Sequence, residues 1–333
     1  MSYTVSNMTD QRPAATSALG TGPVHLDDAT VDALLDLAGV TEVVGAAFAA
    51  WGRGEADTTQ RVRSSAGGGM ASAMAAVVPP YSGGKVYATR NGVFTFLNVL
   101  FDLEGRLLCT LAGDALTRLR TPAACALAIR ALAPEAPRTA ALVGAGRQGW
   151  QHLRMLAAEL PLLEQVRVFD VVDAAAVQMV ERARADGIPA VVAASAPDAV
   201  RHADVVVTVT QSTTPLFPAA DLADRALVCA VGATKYDRCE IGADVVARCA
   251  AVVCDDIAGS RVECGDLIHA ADAGTFDWSR AVELHAVLAG TVQVARAGTA
   301  PVLFETQGVA LQDVAAAGLA WERYVASEHV PAT

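Results

Sequence analysis

Short apolar runs of three to five residues recur after Pro137, and segments of helical or turn character separate them. A strand that is covered on both faces has no polar alternation, so such runs are typical of a parallel sheet flanked by helices. We therefore predict an α/β fold with a doubly wound parallel sheet in this part of the chain. The predicted strands are residues 140–143, 166–169, 190–193, 205–209, 227–231 and 252–254.

The first third of the chain follows a different pattern. Apolar positions between Asp27 and Trp51 recur at helical spacing around Gly39, which predicts two amphipathic helices with a break at that glycine. From Arg61 to Asp102 the pattern changes to short β-prone runs that glycine clusters separate, which predicts an antiparallel sheet. Helices beside an antiparallel sheet indicate a second domain of the α+β class.

Two more helices are predicted further along the chain. Thr121 and Pro122 are typical of a helix start, with threonine as the N-cap and proline in the first turn, ahead of the apolar run 123–133. Arg120 would then stand at the helix N-terminus, where free N–H groups favour an anion. Helical periodicity also extends from residue 307 to 326, after the last predicted strand.

Length and charge narrow the classes of partner. A chain of 333 residues exceeds the usual size of one domain, which agrees with two packed units. The net charge of -11, with no basic block to offset it, repels phosphate backbones and anionic lipid. No apolar run approaches about 18 residues, the length that a membrane-spanning helix needs. We therefore expect neither nucleic acid nor a membrane as a partner.

Three further features concern location and metal binding. Residues 1–22 are polar and lack the basic start and apolar run of a signal peptide, so we expect a flexible tail and a cytoplasmic location. The seven cysteines lie mostly in or beside apolar runs, which favours buried free thiols in a reducing compartment. The histidines have no paired spacing, and no catalytic metal is expected.

A glycine-rich loop follows the first predicted strand of the parallel sheet. Residues 142–149 form a GxGxxG motif between that strand and a helix-like segment. Gly144 permits the tight turn, Gly146 lets the backbone approach a pyrophosphate, and Gly149 lets helix and strand pack closely. In this context the motif predicts a Rossmann domain that binds a dinucleotide.

The cofactor preference depends on the end of the next strand. Asp170 would accept hydrogen bonds from the adenosine ribose hydroxyls and repel a 2′-phosphate, which favours NAD(H), with NADP(H) as the alternative. The spacing from Gly144 is longer than the usual one of about 20 residues, and Asp173 is a second acid nearby. Two solvated surface carboxylates would produce the same pattern.

Three segments together resemble the ornithine cyclodeaminase and mu-crystallin family. They are residues 116–124 (LTRLRTPAA), 231–233 (VGA) and 308–313 (GVALQD), and the resemblance extends over nearly the whole chain after the tail. It implies a substrate-binding and dimerisation domain of residues 23–120 with 307–333, and a Rossmann domain of residues 121–306. It also implies a homodimer through the substrate domain, whose antiparallel sheet has edges that need cover.

The family holds a substrate carboxylate with two arginines and a lysine, which match Arg61, Lys85 and Arg120. Arginine offers a planar fork for a carboxylate, and lysine is a compact charge whose pKa falls in a closed site. Each of these residues alone would be an ordinary solvated cation, whereas three that converge in an acidic chain would form an anion pocket. The resemblance also implies cofactor contacts for the loop residues Arg147 and Gln148 and for Thr121, Thr210, Arg238, Thr306 and Gln307.

Two departures from the ornithine enzyme bear on the reaction. Its acid after the fifth Rossmann strand corresponds to Thr234, and its acid before the lysine-bearing strand corresponds to Ser72. A diamine would lack its counter-ions, and burying an unpaired ammonium costs several kcal/mol. Branches of the family that reduce ketimines need no second acid, and residues 263–268 (ECGDLI) look like theirs.

The resemblance therefore implies an NAD(P)H-dependent ketimine reductase with Lys85, Arg120 and Thr234 at the catalytic positions and Arg61 and Ser72 as further substrate contacts. Hydride would pass to the C=N carbon of a small imino acid, such as Δ1-pyrroline-2-carboxylate or Δ1-piperideine-2-carboxylate, and form an L-amino acid. Two alternatives stay open. One is an ornithine cyclodeaminase or amino-acid dehydrogenase that uses NAD, and the other is a non-catalytic ligand-binding protein similar to mu-crystallin.

Overall fold

The computed structural model describes residues 23–296 and 298–328, so the predicted tail, residues 1–22, lies outside the described residues. An N-terminal sheet of seven strands has the order β1-β7-β6-β5-β4-β2, with β3 paired to β4. Its pairs are antiparallel except for β1 with β7, which confirms the predicted antiparallel sheet. The strands are β1 (Val24–Leu26), β2 (Asp57–Thr58), β3 (Val62–Ala66), β4 (Gly69–Val78), β5 (Tyr81–Arg90), β6 (Val93–Asp102) and β7 (Leu107–Ala112).

Two helices lie between β1 and β2 in the chain, α1 (Asp28–Leu34) and α2 (Leu37–Gly52). The predicted break at Gly39 is wrong, because the chain leaves the helix at Leu35 and Asp36. Asp36 is the N-cap of α2, and its side chain accepts a hydrogen bond from the Gly39 N–H at 2.8 Å. The glycine therefore lies in the first turn of α2, where the cap satisfies its donor.

The predicted helix start at Thr121 and Pro122 is also wrong. Helix α3 (Asp114–Leu132) begins at Asp114 and contains Pro122 in its interior. The Thr121 hydroxyl does not cap an end but donates to the Thr117 carbonyl oxygen one turn earlier, at 2.8 Å. Arg120 thus lies in the second turn of a buried helix and not at its N-terminus. Proline removes one backbone bond there, which burial of the helix on several sides offsets.

The second sheet has eight strands in the order β10-β9-β8-β11-β12-β15-β13-β14, all parallel. The six predicted strands and the doubly wound α/β class are confirmed. Two strands were missed, β14 and β15, and in each a final glutamate interrupts the apolar run. The strands are β8 (Thr139–Val143), β9 (Gln165–Phe169), β10 (Ala190–Val192), β11 (Val205–Thr208), β12 (Leu227–Ala230), β13 (Ala251–Cys254), β14 (Ala281–Glu283) and β15 (Val302–Glu305).

Helices cover both faces of this sheet, as a buried parallel sheet requires. The last helix returns to the N-terminal sheet, where it packs on β4, β5 and β6. It begins at Ala310, three residues later than the periodicity predicts, because Gly308 has a φ of 81°. The helices are α4 (Arg147–Glu159), α5 (Asp173–Ala185), α6 (Ala196–Val200), α7 (Ala243–Arg248), α8 (Ile257–Glu263), α9 (Gly265–Asp272), α10 (Leu284–Leu288) and α11 (Ala310–Glu328).

Helix α3 links the two sheets, because it packs on β12 and β15 of the parallel sheet and carries Thr117, which contacts Lys85 on β5. Helix α3 packs on α2 from one side and on α4 from the other, so the domain border predicted near Thr121 falls inside a single continuous helix. The other predicted border, at residue 307, lies in the loop between β15 and α11. Among the described residues no single helix is long and apolar enough to cross a bilayer, and the one pair that passes together, α1 with α2, is bent by 86°.

Candidate active site

Lys85 lies near the middle of β5, on the sheet face that α3 and α11 cover. Its cross-strand neighbours are Met74 on β4 and Asn98 on β6. The side chain is 1% exposed, and Nζ donates to Thr117 Oγ1 at 2.6 Å and to Asp313 Oδ1 at 3.1 Å. Burial lowers the pKa of Lys85 to about 8. The ammonium therefore keeps its proton at neutral pH and loses it in mildly alkaline solution.

Arg120 on α3 shares a partner with Lys85. Its Nε lies 3.4 Å from Asp313 Oδ1, and Nη1 donates to Gln312 Oε1 at 2.8 Å. The guanidinium lies against Gly308, where a Cβ would come within 3 Å of Nη1. Gly308 also has a positive φ, which disfavours any side chain. The loop before α11 therefore needs glycine both for its own conformation and for the approach of Arg120.

Arg61, in the segment before β3, reaches across to the loop after β15. It donates to the carbonyl oxygens of Gln307 and Gly308, each at 2.9 Å, and forms an ion pair with Glu263 at the end of α8. Arg63, two residues on, pairs with the other oxygen of Glu263. Both arginines are thus held by one buried carboxylate from the Rossmann domain.

The structure brings the three predicted carboxylate-binding cations together. Arg120 and Arg61 both lie close enough to Lys85 to lower its pKa by like-charge repulsion. The ring of Phe96 completes the surroundings of the ammonium, with its centroid 4.4 Å from Nζ. Two of these cations share a buried carboxylate, Asp313, so the pair and its partner carry one positive charge in excess.

The two positions where the ornithine enzyme has acids carry neutral side chains with different surroundings. Ser72 on β4 faces the same side of the sheet as Lys85, is 2% exposed, and its Oγ has no hydrogen-bond partner within the described part of the chain. Thr234, after β12, contacts the site through its backbone, because its carbonyl oxygen accepts from Arg63 at 3.3 Å. Neither position supplies a carboxylate for a second ammonium.

Sequence reasoning missed several polar side chains of this site. Three of them lie in segments that carried the family resemblance, as polar positions inside otherwise buried runs. Arg63 follows Arg61 at the two-residue spacing of one strand face. Asn98 interrupts an apolar run on β6 and is 1% exposed, with both amide atoms unpaired in the described residues. The residues missed are Arg63, Asn98, Glu263, Gln312 and Asp313.

The GxGxxG loop joins β8 to α4 as predicted. Gly144 has a φ of 112°, and a Cβ on Gly149 would lie within 3 Å of the Gly144 carbonyl oxygen. A Cβ on Gly146 would meet nothing within 4 Å, so the loop has an open cradle over the N-terminus of α4. Asp170, at the end of β9, accepts hydrogen bonds from Ala145 N at 2.7 Å and Val172 N at 2.8 Å. These residues fit a dinucleotide, with the pyrophosphate at the cradle.

The other predicted cofactor residues lie after strand ends or on the helices beside this loop. Buried carboxylates hold two of the strand ends. Glu240 accepts from Thr210 N at 2.5 Å, and Asp255 accepts from Thr306 Oγ1 at 2.6 Å. Burial raises the pKa of both acids. The remaining contacts are Arg147 with Asp114 at 3.3 Å, Gln148 with the Thr117 carbonyl oxygen at 3.3 Å, Arg238 with the Gln211 carbonyl oxygen, and Gln307 with Ser260 Oγ at 2.7 Å.

A model of the ornithine cyclodeaminase/mu-crystallin family matches residues 21–328. The chain belongs to this family. The resemblance that three short segments indicated is therefore confirmed over almost the whole sequence.

Reductases are among the relatives within this family. A Δ1-pyrroline-2-carboxylate reductase of Burkholderia ambifaria is 41% identical over 64% of each chain. A Δ1-pyrroline-2-carboxylate/Δ1-piperideine-2-carboxylate reductase of Azospirillum brasilense is 36% identical over 90% of this chain and 95% of its own length. The solved structure of the iminosuccinate reductase of Paracoccus denitrificans in complex with NAD+ has a TM-score of 0.86 and 25% identity, and covers 92% of this chain and 97% of that one.

Proposed function

We propose that this protein is an NAD(H)-dependent ketimine reductase that converts a small imino acid, such as Δ1-pyrroline-2-carboxylate or Δ1-piperideine-2-carboxylate, to an L-amino acid. The observation that carries the proposal is the buried pair of Lys85 and Arg120 around a single carboxylate, which leaves one positive charge for the carboxylate of a substrate. The names of the Burkholderia and Azospirillum relatives support the same substrate class.

NADH, when bound at the GxGxxG loop, supplies the hydride. Arg120 and Lys85 bind the substrate carboxylate and thereby orient the imine. The C=N carbon is then held in a fixed position relative to the hydride donor. Lys85 also holds a proton at Nζ at neutral pH, so its positive charge and hydrogen-bond donors are available to the substrate carboxylate. Burial excludes water from both cations, which strengthens their interaction with the carboxylate.

Ornithine and lysine fit this site poorly. A second ammonium would need a counter-ion beside Ser72 or Thr234, and neither side chain carries charge. Glu263, an acid of this site, already pairs with Arg61 and Arg63. An uncompensated buried ammonium costs several kcal/mol, which favours a substrate whose only charged groups are the carboxylate and the iminium.

We also propose NAD(H) in preference to NADP(H), because Asp170 places a negative charge beside the cradle. All seven cysteines are free and buried, which suits a reducing cytoplasm.

The oligomer we propose is a homodimer through the N-terminal sheet. A row of apolar side chains crosses four strands on the face opposite Lys85 and is open to solvent: Val62 (66% exposed), Ala73, Val86 (52%) and Leu97 (42%).

The test is consumption of NADH with a panel of cyclic imino acids and of 2-oxo acids supplied with amines. We expect the fastest turnover with a five- or six-membered cyclic imino acid. Release of ammonia from ornithine, lysine or alanine with NAD+, without imine reduction, would identify a cyclodeaminase or dehydrogenase instead. NADH binding without turnover of any member of the panel would favour a ligand-binding protein.

A further inference from the structure

Asp313 is a buried carboxylate that takes no part in the proposed hydride transfer or in the cofactor site. It lies in the first turn of α11 and is 1% exposed. Its Oδ1 is 3.1 Å from Lys85 Nζ and 3.4 Å from Arg120 Nε, so a single oxygen lies between the two cations. Its Oδ2 has no hydrogen-bond partner in the described part of the chain.

We propose that Asp313 is the positioning residue that holds the Lys85 ammonium and the Arg120 guanidinium side by side and keeps Lys85 charged for substrate binding. The inference rests on the proposed function, in which Lys85 and Arg120 bind the substrate carboxylate. Asp313 acts through the two cations and does not itself touch the substrate, whose carboxylate it would repel.

The charges around Lys85 explain why the shared carboxylate is needed. The charged groups that face it are Asp313 from α11, Arg120 from α3 and Arg61 from the segment before β3. Burial and the two arginines all lower the pKa of Lys85, and Asp313 raises it. An arginine keeps its proton in any protein environment, so without Asp313 the lysine is the group that becomes neutral.

Loss of the Asp313 charge would affect the two cations differently, because they keep different partners. Arg120 keeps a second partner, since Nη1 donates to Gln312 Oε1 at 2.8 Å. Among the described residues, the partners that Lys85 keeps are the neutral Thr117 hydroxyl and the face of Phe96. The Asp313→Asn variant retains the shape of the side chain and removes the charge. We therefore expect it to leave Arg120 in place and to let Lys85 lose its proton at lower pH.

The experiment compares kcat/KM for Δ1-piperideine-2-carboxylate with NADH between about pH 6 and 9.5 in wild type and Asp313→Asn. The control is Asp32→Asn, the same substitution at an exposed carboxylate that pairs with Arg118. The substrate titrates equally with every variant, so only differences between variants count. We expect the alkaline fall of kcat/KM to move at least about one pH unit lower in Asp313→Asn, a loss of about tenfold near pH 8. Near pH 6 the loss should be small, and Asp32→Asn should follow wild type.

Asp313→Glu supplies the matched rescue, because it keeps the charge while moving it by one methylene. We expect its alkaline limb to return close to that of wild type even if its KM is altered. An equal loss at every pH in Asp313→Asn, or an unmoved limb, would show that Asp313 serves only packing. If Asp313→Asn does not fold, Asp313→Glu decides alone. A folded Asp313→Glu whose alkaline fall of kcat/KM lies about one pH unit below that of wild type, although the charge is kept, would also show that Asp313 serves only packing.

A binding measurement separates this inference from the proposed function. Pyrrole-2-carboxylate, a planar analogue with one carboxylate, is titrated into the NAD+ complex by calorimetry across the same pH range. Binding by wild type should weaken above about pH 8, where Lys85 loses its proton, and binding by Asp313→Asn should weaken at lower pH. If wild type reduces no imine yet shows this shift, the proposed reaction fails and the role of Asp313 stands. Superimposable binding curves would overturn the role of Asp313 alone.

Discussion

Replacement of Arg120 tests the proposed carboxylate clamp most directly. The side chain is 7% exposed, and its guanidinium is held by Gln312 and Asp313 on one side and by the bare backbone of Gly308 on another. Its position is therefore set before substrate arrives. In Arg120→Ala we expect a higher KM for the imino acid with a smaller change in kcat, because the clamp binds the carboxylate equally in ground state and transition state.

The size of the effect follows from the chemistry of the contact. Truncation of one partner of a buried, hydrogen-bonded charge pair costs roughly 2–5 kcal/mol. Asp313 would still pair with Lys85, so the lower part of that range, about 2–4 kcal/mol, applies. At about 1.4 kcal/mol for each factor of ten, the KM should rise by roughly 30- to 1000-fold. Arg120→Lys should recover only part of this, because an ammonium cannot form the planar fork.

The assay is steady-state kinetics with saturating NADH, combined with NADH binding by fluorescence. Arg130→Ala is the matched control, since Arg130 lies on the same helix but is half exposed and pairs with Glu159. NADH affinity should stay within about threefold of wild type in both variants, and thermal melting reports any loss of folded protein. A near-normal KM and kcat in folded Arg120→Ala would show that the substrate carboxylate binds elsewhere.

Three other outcomes follow from the structure. Wild type should use NADH at least about tenfold better than NADPH, and Asp170→Ser should narrow that ratio while Asp173→Ser should not; a wild-type preference for NADPH would contradict the assignment. Gly149→Ala should weaken NADH binding by at least about tenfold, because its Cβ would displace the Gly144 carbonyl, and unchanged fluorescence titrations would argue against the cradle. Val86→Asp should give monomers by light scattering, whereas Val177→Asp on α5, also exposed, should leave the dimer intact.

Local patterns predicted most of the architecture. The inner parallel strands β8, β11, β12 and β13 are buried at nearly every residue, so each needs a continuous apolar run, and that run is visible in the sequence. Strands β9 and β10, towards one edge of the sheet, are only partly buried and have mixed or short runs. The glycine loop could be predicted equally well from the sequence. Gly144 and Gly149 are required by local backbone geometry, which involves only a few neighbouring residues. Resemblance to the family then pointed to Lys85 and Arg120, which are cations at positions that are otherwise apolar.

Local patterns failed where tertiary contacts override them. Thr121 and Pro122 have the composition of a helix start, yet α3 begins at Asp114, eight residues before Pro122, because packing on both sides stabilises the helix across the proline. The break between the first helices was misplaced in the same way. A glycine and an aspartate both suit that position, and the Asp36 side chain, which caps α2 through Gly39, decides between them.

The sequence by itself determined the fold class, the dinucleotide loop and the identity of the buried cations, since each depends on residues close together in the chain. Only the tertiary structure decided how those cations are paired. Lys85 and Asp313 are 228 residues apart, and Arg61 and Glu263 are 202 residues apart. No local period links such positions. Their contacts exist because α11 returns across β5 and because the Rossmann domain brings the end of α8 to β3, and these contacts set the charge of the site.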